Sequence, residues 1–457
     1  MDLSSWLLRA VDEHRSWTEQ HGGPVHHPAT TVDEERMEDA FQRLAKALGG
    51  CYPFFHPRYA GQMIKPPHPV AVVGQLAAML VNPNNHALDG GPATTGLEEE
   101  VIDQLAGMVG FGTPLGHLTG GGSMANLEAL FVARESHPGL GIAVSEEAHY
   151  THARMCHLLG VPVHLVPADG HGRMDVSELR SLLATGRIGT VVATAGTTGT
   201  GAVDPVHSIA DLAREAGVRV HVDAAYGGFF RLLADDPTRP LGDPAPWRAI
   251  SRCDSVVVDP HKHGLQPYGC GAVLFADPDV TRFYRHDSPY TYYTSSRPHL
   301  GEISLECSRP GAAAAALWLT LQVIPLTASG LGSILAAGRR AAVRWAGLLT
   351  DSEEFSLFQR PELDIVTYFP KTAALTMTAV DRASEAVADR CSTAPDPLFV
   401  SLSRISAAAF GKRGSGLATD RPEARILRSV LMKPESETYL DHLHGRLEAE
   451  ARAERGA

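Results

Sequence analysis

The chain has 457 residues, of which 44% are hydrophobic and 20% charged, so it is long enough to bury a large core and is not disordered as a whole. Its length exceeds that of one usual core, which predicts two or three lobes. The formal net charge is −12, from 40 basic and 52 acidic residues, and this balance argues against nucleic acid as a partner.

The chain begins with two helical patterns, in which apolar residues recur at helical spacing over residues 3–14 and 33–48. A loop rich in Pro, His and aromatic residues follows at 52–69. Two more helices are predicted at 70–81 and 97–111. We expect no independent core in the first 50 residues.

From about residue 115 to 276, short apolar runs alternate with helical segments, which is typical of a layered α/β domain. The candidate strands are 141–145, 161–166, 189–195, 218–222, 255–258 and 271–276.

A stretch at 311–326 is the most apolar of the chain, but prolines bound it and it contains Thr320 and Gln322. It predicts a buried, alanine-rich helix rather than a membrane span, and we expect no membrane partner. A helix at 332–349 then leads into a smaller α+β lobe, with apolar runs at 363–369, 373–379, 397–403 and 425–432 and a final helix at 437–454. The expected division is a helical segment (1–75), a large α/β domain (76–330) and a small domain (331–457).

Two segments carry most of the chemistry, residues 221–228 (HVDAAYGG) and 258–275 (VDPHKHGLQPYGCGAVLF). Asp223 and Lys262 each follow a run that predicts a buried parallel strand, and functional groups collect at the carboxyl ends of such strands. Pyridoxal phosphate needs a lysine amine for covalent attachment and an acid that faces its pyridine nitrogen.

Both residue types have ordinary structural roles as well, since aspartate caps helices and lysine is usually solvated. Lys262, however, is flanked by His261, His263 and apolar strands, where an unpaired ammonium would be costly. The pair therefore predicts a pyridoxal phosphate site.

Loops at other strand ends supply further candidates. Residues 119–130 (TGGGSMANLEAL) form a glycine-rich turn before a helix, whose backbone N–H groups and Ser123 suit a phosphate, although such turns are common. His149 follows a strand and is suited to stack on the pyridine ring, but the chain has 22 histidines and most are structural. Thr197 and Thr198 are placed to hydrogen-bond the ring hydroxyl or the phosphate.

Together these motifs make the chain resemble the group II pyridoxal-phosphate-dependent amino-acid decarboxylases, over roughly residues 50 to 435. The family includes glutamate, aromatic amino-acid and cysteine sulfinate decarboxylases. The resemblance implies the pyridoxal-phosphate-dependent transferase fold of type I, with a mostly parallel sheet, and a homodimer whose active site lies at the interface. No metal is expected.

The resemblance also assigns roles to residues of the cofactor site. It implies that Lys262 bonds the cofactor and that Asp223 pairs with the pyridine nitrogen, with Ala225 on one ring face and His149 on the other. The remaining contacts that it implies are Gly122, Ser123 and His261 at the phosphate and Thr198 near the ring hydroxyl. Several relatives have Asn where this chain has Asp259, so that the acidic side chain either contacts the phosphate or faces away.

Two further matches concern the substrate. Residues 56–63 (HPRYAGQM) and 425–434 (RILRSVLMKP) resemble segments of glutamate-type decarboxylases that place Gln62 and Arg428 at the substrate carboxylate, and an arginine fork suits a carboxylate. A solvent-facing strand position is the alternative for Arg428. In the loop implied to come from the neighbouring subunit, Asn84, Asn85 and His86 stand where aromatic-acid relatives have apolar residues. A small or polar amino acid is therefore the expected substrate.

The segment 286–311 decides the reaction. In the family, a loop here supplies a tyrosine that protonates the carbon left after CO2 departs, and its replacement diverts the chemistry toward oxidation. Tyr290, Tyr292 and Tyr293 are the tyrosine candidates, and His299 lies closer to the expected distance from residues 308–311 (SRPG). Residues 308–318 also resemble the sphingosine-phosphate lyase branch.

We therefore expect an amino-acid decarboxylase that releases CO2 and an amine. The alternatives are decarboxylation-coupled oxidative deamination to an aldehyde, C–C lysis on the same fold, and a non-catalytic cofactor-binding protein. Six cysteines without C-x-x-C spacing, and the lack of a basic segment followed by an apolar core at the start of the sequence, predict reduced thiols and a cytoplasmic location.

Overall fold

A computed structural model describes residues 1–238, 241–285, 299–413 and 416–455 of the chain. Its α-helices, in chain order, are α1 (Leu3–Gln20), α2 (Glu34–Leu48), α3 (Pro69–Val81), α4 (Pro92–Val109), α5 (Gly122–Ser136), α6 (Thr151–Leu159), α7 (Val176–Leu183), α8 (Val206–Ala216), α9 (Ala245–Ala249), α10 (Thr281–Tyr284), α11 (Gly311–Val323), α12 (Leu331–Asp351), α13 (Met377–Thr393), α14 (Ala407–Lys412) and α15 (Ser436–Arg455).

The strands form two sheets. They are β1 (Leu115–Thr119), β2 (Gly141–Ser145), β3 (Val163–Val166), β4 (Ile188–Thr194), β5 (Arg219–Asp223), β6 (Ser255–Val258), β7 (Gly271–Phe275), β8 (Phe355–Gln359), β9 (Ile365–Pro370), β10 (Ser401–Ser406) and β11 (Glu423–Val430).

The larger sheet has seven strands in the order β1-β7-β6-β5-β4-β2-β3. Strands β3, β2, β4, β5 and β6 pair in parallel, whereas β7 is antiparallel to both β6 and β1. The sheet is thus mostly parallel, and the α/β fold predicted from the sequence is confirmed. In the register of β4, β5 and β6, Asp223 pairs with Thr194 on one side and Val257 on the other, so three strand ends meet at one edge.

Helices cover both faces of this sheet. The main core packs α4, α8 and α11 against one face, and α5 and α6 cover the other. The alternation is visible on β6, where Val256 and Val258 join the main core and Val257 joins the α5 side. Double coverage explains why the strands around the site are almost continuously apolar.

The smaller sheet is antiparallel, in the order β10-β11-β9-β8, and packs against α12, α13 and α15. Of the runs noted in this lobe, 363–369 and 425–432 overlap β9 and β11, and 397–403 overlaps only the start of β10. The run at 373–379 instead contains the start of α13, because the Thr376 hydroxyl accepts a hydrogen bond from the Ala379 N–H and caps the helix. The division at residues 75 and 330 stays a prediction.

The amino-terminal helices α1 and α2 contain no buried residue. The alanine-rich stretch forms α11, most of whose residues are buried, as expected. Within the described ranges, no helix is both long and apolar enough to cross a bilayer.

Candidate active site

A cavity of about 600 Å³ opens at the carboxyl edge of the large sheet. All nine residues predicted to bind the cofactor line it: Gly122, Ser123, His149, Thr198, Asp223, Ala225, Asp259, His261 and Lys262. A larger groove of about 790 Å³, between α1, α3 and the start of α4, holds none of the predicted site residues. The predicted cofactor-binding residues thus converge on one cavity.

Asp223 is the last residue of β5 and is 5% exposed. One carboxylate oxygen, Oδ1, accepts a hydrogen bond of 3.1 Å from the Ala225 N–H. The other, Oδ2, lies 2.8 Å from Nε2 of His152. Burial raises the pKa of Asp223, but the hydrogen bond from His152 and the charge of Lys262 outweigh it and hold the pKa well below its usual range. The group is an anion, as an acid that pairs with a protonated pyridine must be.

Lys262 follows β6, and its Nζ lies 3.0 Å from Oδ2 of Asp259. Burial lowers the pKa of Lys262, but Asp259 raises it, with a smaller contribution from Asp223, so that the net shift is upward. Whether the side chain of Asp259 contacts the phosphate or faces away from it stays a prediction. Its carboxylate is turned toward the lysine.

The amino terminus of α5 forms the third side of the cavity. Its N-cap residue, Gly121, has φ +138° and makes no side-chain capping bond, so the first N–H groups of the helix lack that partner. A Cβ on Gly122 would lie 2.6 Å from Oδ2 of Asp259, and one on Gly121 would lie 3.0 Å from Cε1 of His261. Only glycine at positions 121 and 122 leaves space in front of the first N–H groups of α5.

These features test whether pyridoxal phosphate fits the residues present. The open N–H groups of α5 suit a phosphate, the Lys262 amine suits the aldehyde, and the Asp223 carboxylate suits the pyridine nitrogen. Oδ1 of Asp259 is buried without a hydrogen-bond partner among the described residues. A free carboxylate oxygen does not itself attract a phosphate, so the fit rests on the N–H groups of α5, the Lys262 amine and the Asp223 carboxylate, and by these the residues fit the cofactor.

His149 lies between β2 and α6, where Nδ1 hydrogen-bonds the hydroxyl of Thr151. Burial lowers its pKa, against the charge of Asp223, so the ring is neutral at pH 7. A neutral imidazole on the cavity wall is suited to stack on an aromatic ring.

The predicted substrate residues are placed differently. Gln62 is exposed, and neither it nor Arg428 lines the cavity. Arg428 is 5% exposed rather than solvent-facing. Its Nε donates to the carbonyl of Gly199, Nη1 to that of Gly61, and Nη2 to that of Thr198. The guanidinium therefore contacts the backbone of Thr198, and Thr198 in turn lines the cavity.

The loop with Asn84 and His86 packs on the segment after residue 298 of the same chain. Asn84 accepts a hydrogen bond from the Arg309 N–H, and the carbonyl of His86 accepts one from Gly301. His299 is 1% exposed, and its Nδ1 accepts a bond from the Leu88 N–H, so it does not line this chain's cavity. Tyr290, Tyr292 and Tyr293 lie outside the described residues.

Sequence reasoning missed several residues of the site, among them Tyr226 and Glu306, which line the cavity, and His152, which lies behind Asp223. His152 bonds Asp223, Tyr226 lines the wall next to Ala225, and Glu306 accepts a bond from the Gly120 N–H at the glycine-rich turn. A signal existed for His152, because it lies three residues after His149 at the same edge of the sheet. None was available for Glu306, which reaches the cavity from a distant segment.

The chain resembles known proteins over most of its length. Residues 27–371 match the model of the pyridoxal-dependent decarboxylase conserved domain. The L-tyrosine decarboxylase of Enterococcus faecium is 26% identical over 94% of this chain and 89% of its own length. A probable L-aspartate decarboxylase of Halobacterium salinarum is 32% identical over 57% of this chain and 71% of its own.

The solved structures show the same fold. The crystal structure of mouse CSAD superposes with a TM-score of 0.79 and 22% identity, over 96% of this chain and 91% of that one. Because the family model spans most of the chain, including Asp223 and Lys262, the chain belongs to the pyridoxal-dependent decarboxylases and is a pyridoxal-phosphate-dependent amino-acid decarboxylase.

Proposed function

We propose that this enzyme decarboxylates a small or polar L-amino acid to the corresponding amine, with Lys262, Asp223 and His149 as the groups that hold the cofactor for reaction. The observation that supports these roles is the convergence of all nine proposed cofactor residues on one cavity. When bound, pyridoxal phosphate supplies an electron sink for the bond that breaks at Cα. The protein supplies orientation, charge and exclusion of water.

Each wall of the cavity has a separate task in this proposal. The Asp223 carboxylate holds a proton on the pyridine nitrogen, and the Lys262 amine forms the covalent attachment. His149 and Ala225 confine the ring, while the first turn of α5, with Ser123, binds the phosphate. The opposite charge of Asp223 favours a protonated pyridine.

For the substrate, we propose that Arg428 acts from behind Thr198. Its guanidinium is buried and fixed by backbone carbonyls, so its positive charge favours a carboxylate at the Thr198 side of the cavity. Gln62 is next to Gly61, whose carbonyl accepts from the same guanidinium. The proposed preference for a small or polar side chain rests on Asn84 and His86, supplied by a second subunit.

The second subunit is itself a proposal, with support from the amino-terminal helices. On α2, large apolar side chains recur on one face and are exposed in the single chain, with Met37 at 52%, Phe41 at 57%, Leu44 at 54% and Leu48 at 61%. A face of this kind is favourable when a second copy covers it. Phe41→Glu should convert a dimer to a monomer in analytical ultracentrifugation, and a chain that is already monomeric would refute the dimer.

We also propose a cytoplasmic location. All six cysteines are free thiols in the structure, which agrees with a reducing compartment.

The experiment that tests the reaction is a panel of L-amino acids with product identification by mass spectrometry. The holoenzyme should release CO2 and an amine in equal amounts, with aspartate turned over faster than tyrosine. Lys262→Ala is the control for cofactor-independent release. Aldehyde with ammonia and peroxide would replace the proposal by oxidative deamination, and a clear preference for tyrosine would refute the proposed substrate class.

A further inference from the structure

The carboxylate of Asp223 has a hydrogen-bond partner that the family roles do not assign. His152, in the first turn of α6, is fully buried, and its Nε2 lies 2.8 Å from Oδ2 of Asp223. The second oxygen of Asp223 is held by the Ala225 N–H. The orientation of the carboxylate is thus fixed from two elements, the end of β5 and the start of α6.

The other ring nitrogen of His152 indicates which atom donates. Nδ1 is buried and has no hydrogen-bond partner among the described residues. A proton on Nδ1 would therefore be a buried, unsatisfied donor, which is costly. The tautomer with its proton on Nε2 leaves every N–H of the ring satisfied, so His152 donates to Asp223 and Asp223 accepts.

His221 does not compete for this contact. It lies two residues before Asp223 on the same face of β5. Its Nδ1 is 2.9 Å from the hydroxyl of Ser255, and its Nε2 is 2.9 Å from Oδ1 of Asn126. Both nitrogens are occupied, and burial lowers the pKa of His221 to about 3, so it is neutral. Of the two histidines, His152 alone bonds the carboxylate.

We propose that His152 is a positioning residue of the reaction, which fixes the Asp223 carboxylate and thereby sets how strongly the pyridine nitrogen of the cofactor holds its proton. A pyridine that keeps its proton withdraws electrons from Cα more strongly. A carboxylate that lost the bond from His152 would be free to rotate about its side-chain torsions. The proton on the nitrogen would then be held less firmly.

The test uses holoenzyme loaded with pyridoxal phosphate that carries ¹⁵N in the ring, because the ¹⁵N chemical shift reports directly whether the nitrogen is protonated. His152→Leu and His152→Phe remove the donor with different side-chain volumes, and His152→Gln keeps an N–H donor. His157→Leu is the matched control, since it makes the same change on an exposed face of α6.

The shift should move toward that of an unprotonated pyridine in the Leu and Phe variants, and kcat should fall by about 10- to 100-fold, the size expected for a lost bond to a charged group. The Gln variant and the His157→Leu control should keep the wild-type shift. An unchanged shift in either donor-free variant that folds overturns the inference, as does a Gln variant that behaves like Leu.

The inference rests on the proposed pairing of Asp223 with the pyridine nitrogen, and Asp223→Asn tests that pairing separately. If Asp223→Asn leaves the ¹⁵N shift unchanged, the pairing itself is wrong. If it moves the shift while the His152 variants do not, only the role of His152 is refuted.

Discussion

Oδ2 of Asp259 lies 3.0 Å from Nζ of Lys262, and both side chains line the same cavity. The side chain of Asp259 is 2% exposed and that of Lys262 is 21% exposed. Among the described residues, the closest charged partner of the Lys262 amine is therefore the carboxylate of Asp259, and its negative charge favours the ammonium form of the lysine. Covalent attachment of an aldehyde requires the neutral amine, so the two residues couple cofactor loading to pH.

Asp259→Asn is predicted to make cofactor loading possible at lower pH. The wild-type pKa of Lys262 is raised because Asp259 outweighs the effect of burial, so removal of the carboxylate lowers that pKa. The rate of cofactor attachment should follow the fraction of Lys262 that is neutral. At a pH below the pKa of Lys262, which is the midpoint of this profile, the rate should rise about tenfold for each unit by which the pKa falls. The measurement is the growth of visible absorbance when pyridoxal phosphate is added to apoenzyme across a pH series.

Glu306→Gln is the matched control for this experiment, because Glu306 lines the same cavity but bonds the Gly120 N–H. Its midpoint should match that of the wild type. If the midpoint of the pH profile for cofactor attachment is the same in Asp259→Asn as in the wild type, Asp259 does not set the pKa of Lys262.

Arg428→Lys is predicted to lower thermal stability and raise KM together. The guanidinium bonds the carbonyls of Gly61, Thr198 and Gly199, and a single ammonium cannot reach all three. Gly61 is buried, and a buried carbonyl left without a partner costs about 1–3 kcal/mol. Differential scanning calorimetry and steady-state kinetics on the same preparations measure both effects.

Arg344→Lys provides the comparison for Arg428, since Arg344 is half exposed and pairs with the exposed Asp441, where little stability is expected to change. A higher KM in Arg428→Lys at an unchanged Tm would show that Arg428 serves the substrate alone and does not hold the cavity wall.

The buried contact between Tyr226 and Asp364 predicts a dependence of stability on pH. The Tyr226 hydroxyl donates to Oδ1 of Asp364 at 2.6 Å, and burial raises the pKa of Asp364 to about 6 from 3.8. Between about pH 4 and pH 6 the folded chain therefore binds a proton that the unfolded chain has released. The contribution of Asp364 to stability is largest below this window and falls as pH rises through it.

Asp364→Asn removes this dependence while its Oδ1 can still accept from Tyr226. The free energy of unfolding of Asp364→Asn minus that of wild type should increase with pH, by about 3 kcal/mol, and level off above about pH 6. Urea titrations of the two apoenzymes at a series of pH values measure it. A difference that is constant from pH 4 to pH 7 would contradict the assignment.

The fold was largely predictable because its strands have strong local signals. The run at 141–145 coincides with β2, and those before Asp223 and Lys262 are β5 and β6, since strands buried on both faces are apolar throughout. Strand β1 was missed because Gly116 and His117 interrupt its apolar pattern. His117 is nevertheless buried, since its ring pairs with Glu128 at 2.9 Å, a contact that local sequence does not reveal.

The candidate site also has parts that local sequence predicts and parts that depend on long-range contacts. Glycines, Asp223 and Lys262 follow strand ends, and the rule that such ends share one edge brings them together. The contact between Arg428 and Thr198 joins residues 230 positions apart, and the direction of the Asp259 side chain depends on the charge of Lys262. Long-range contacts of this kind are set by packing of the two sheets, which periodicity does not encode.

The most direct test of the account asks which of the chain's lysines bonds the cofactor. Holoenzyme is reduced with borohydride, digested, and searched by mass spectrometry for the pyridoxyl group. Burial lowers the pKa of both Lys65 and Lys433 to about 8, so these amines are the natural competitors. The label is expected on Lys262, and Lys262→Ala is expected to show no visible cofactor band. A label on Lys65 or Lys433, or an unchanged spectrum in Lys262→Ala, would contradict this expectation.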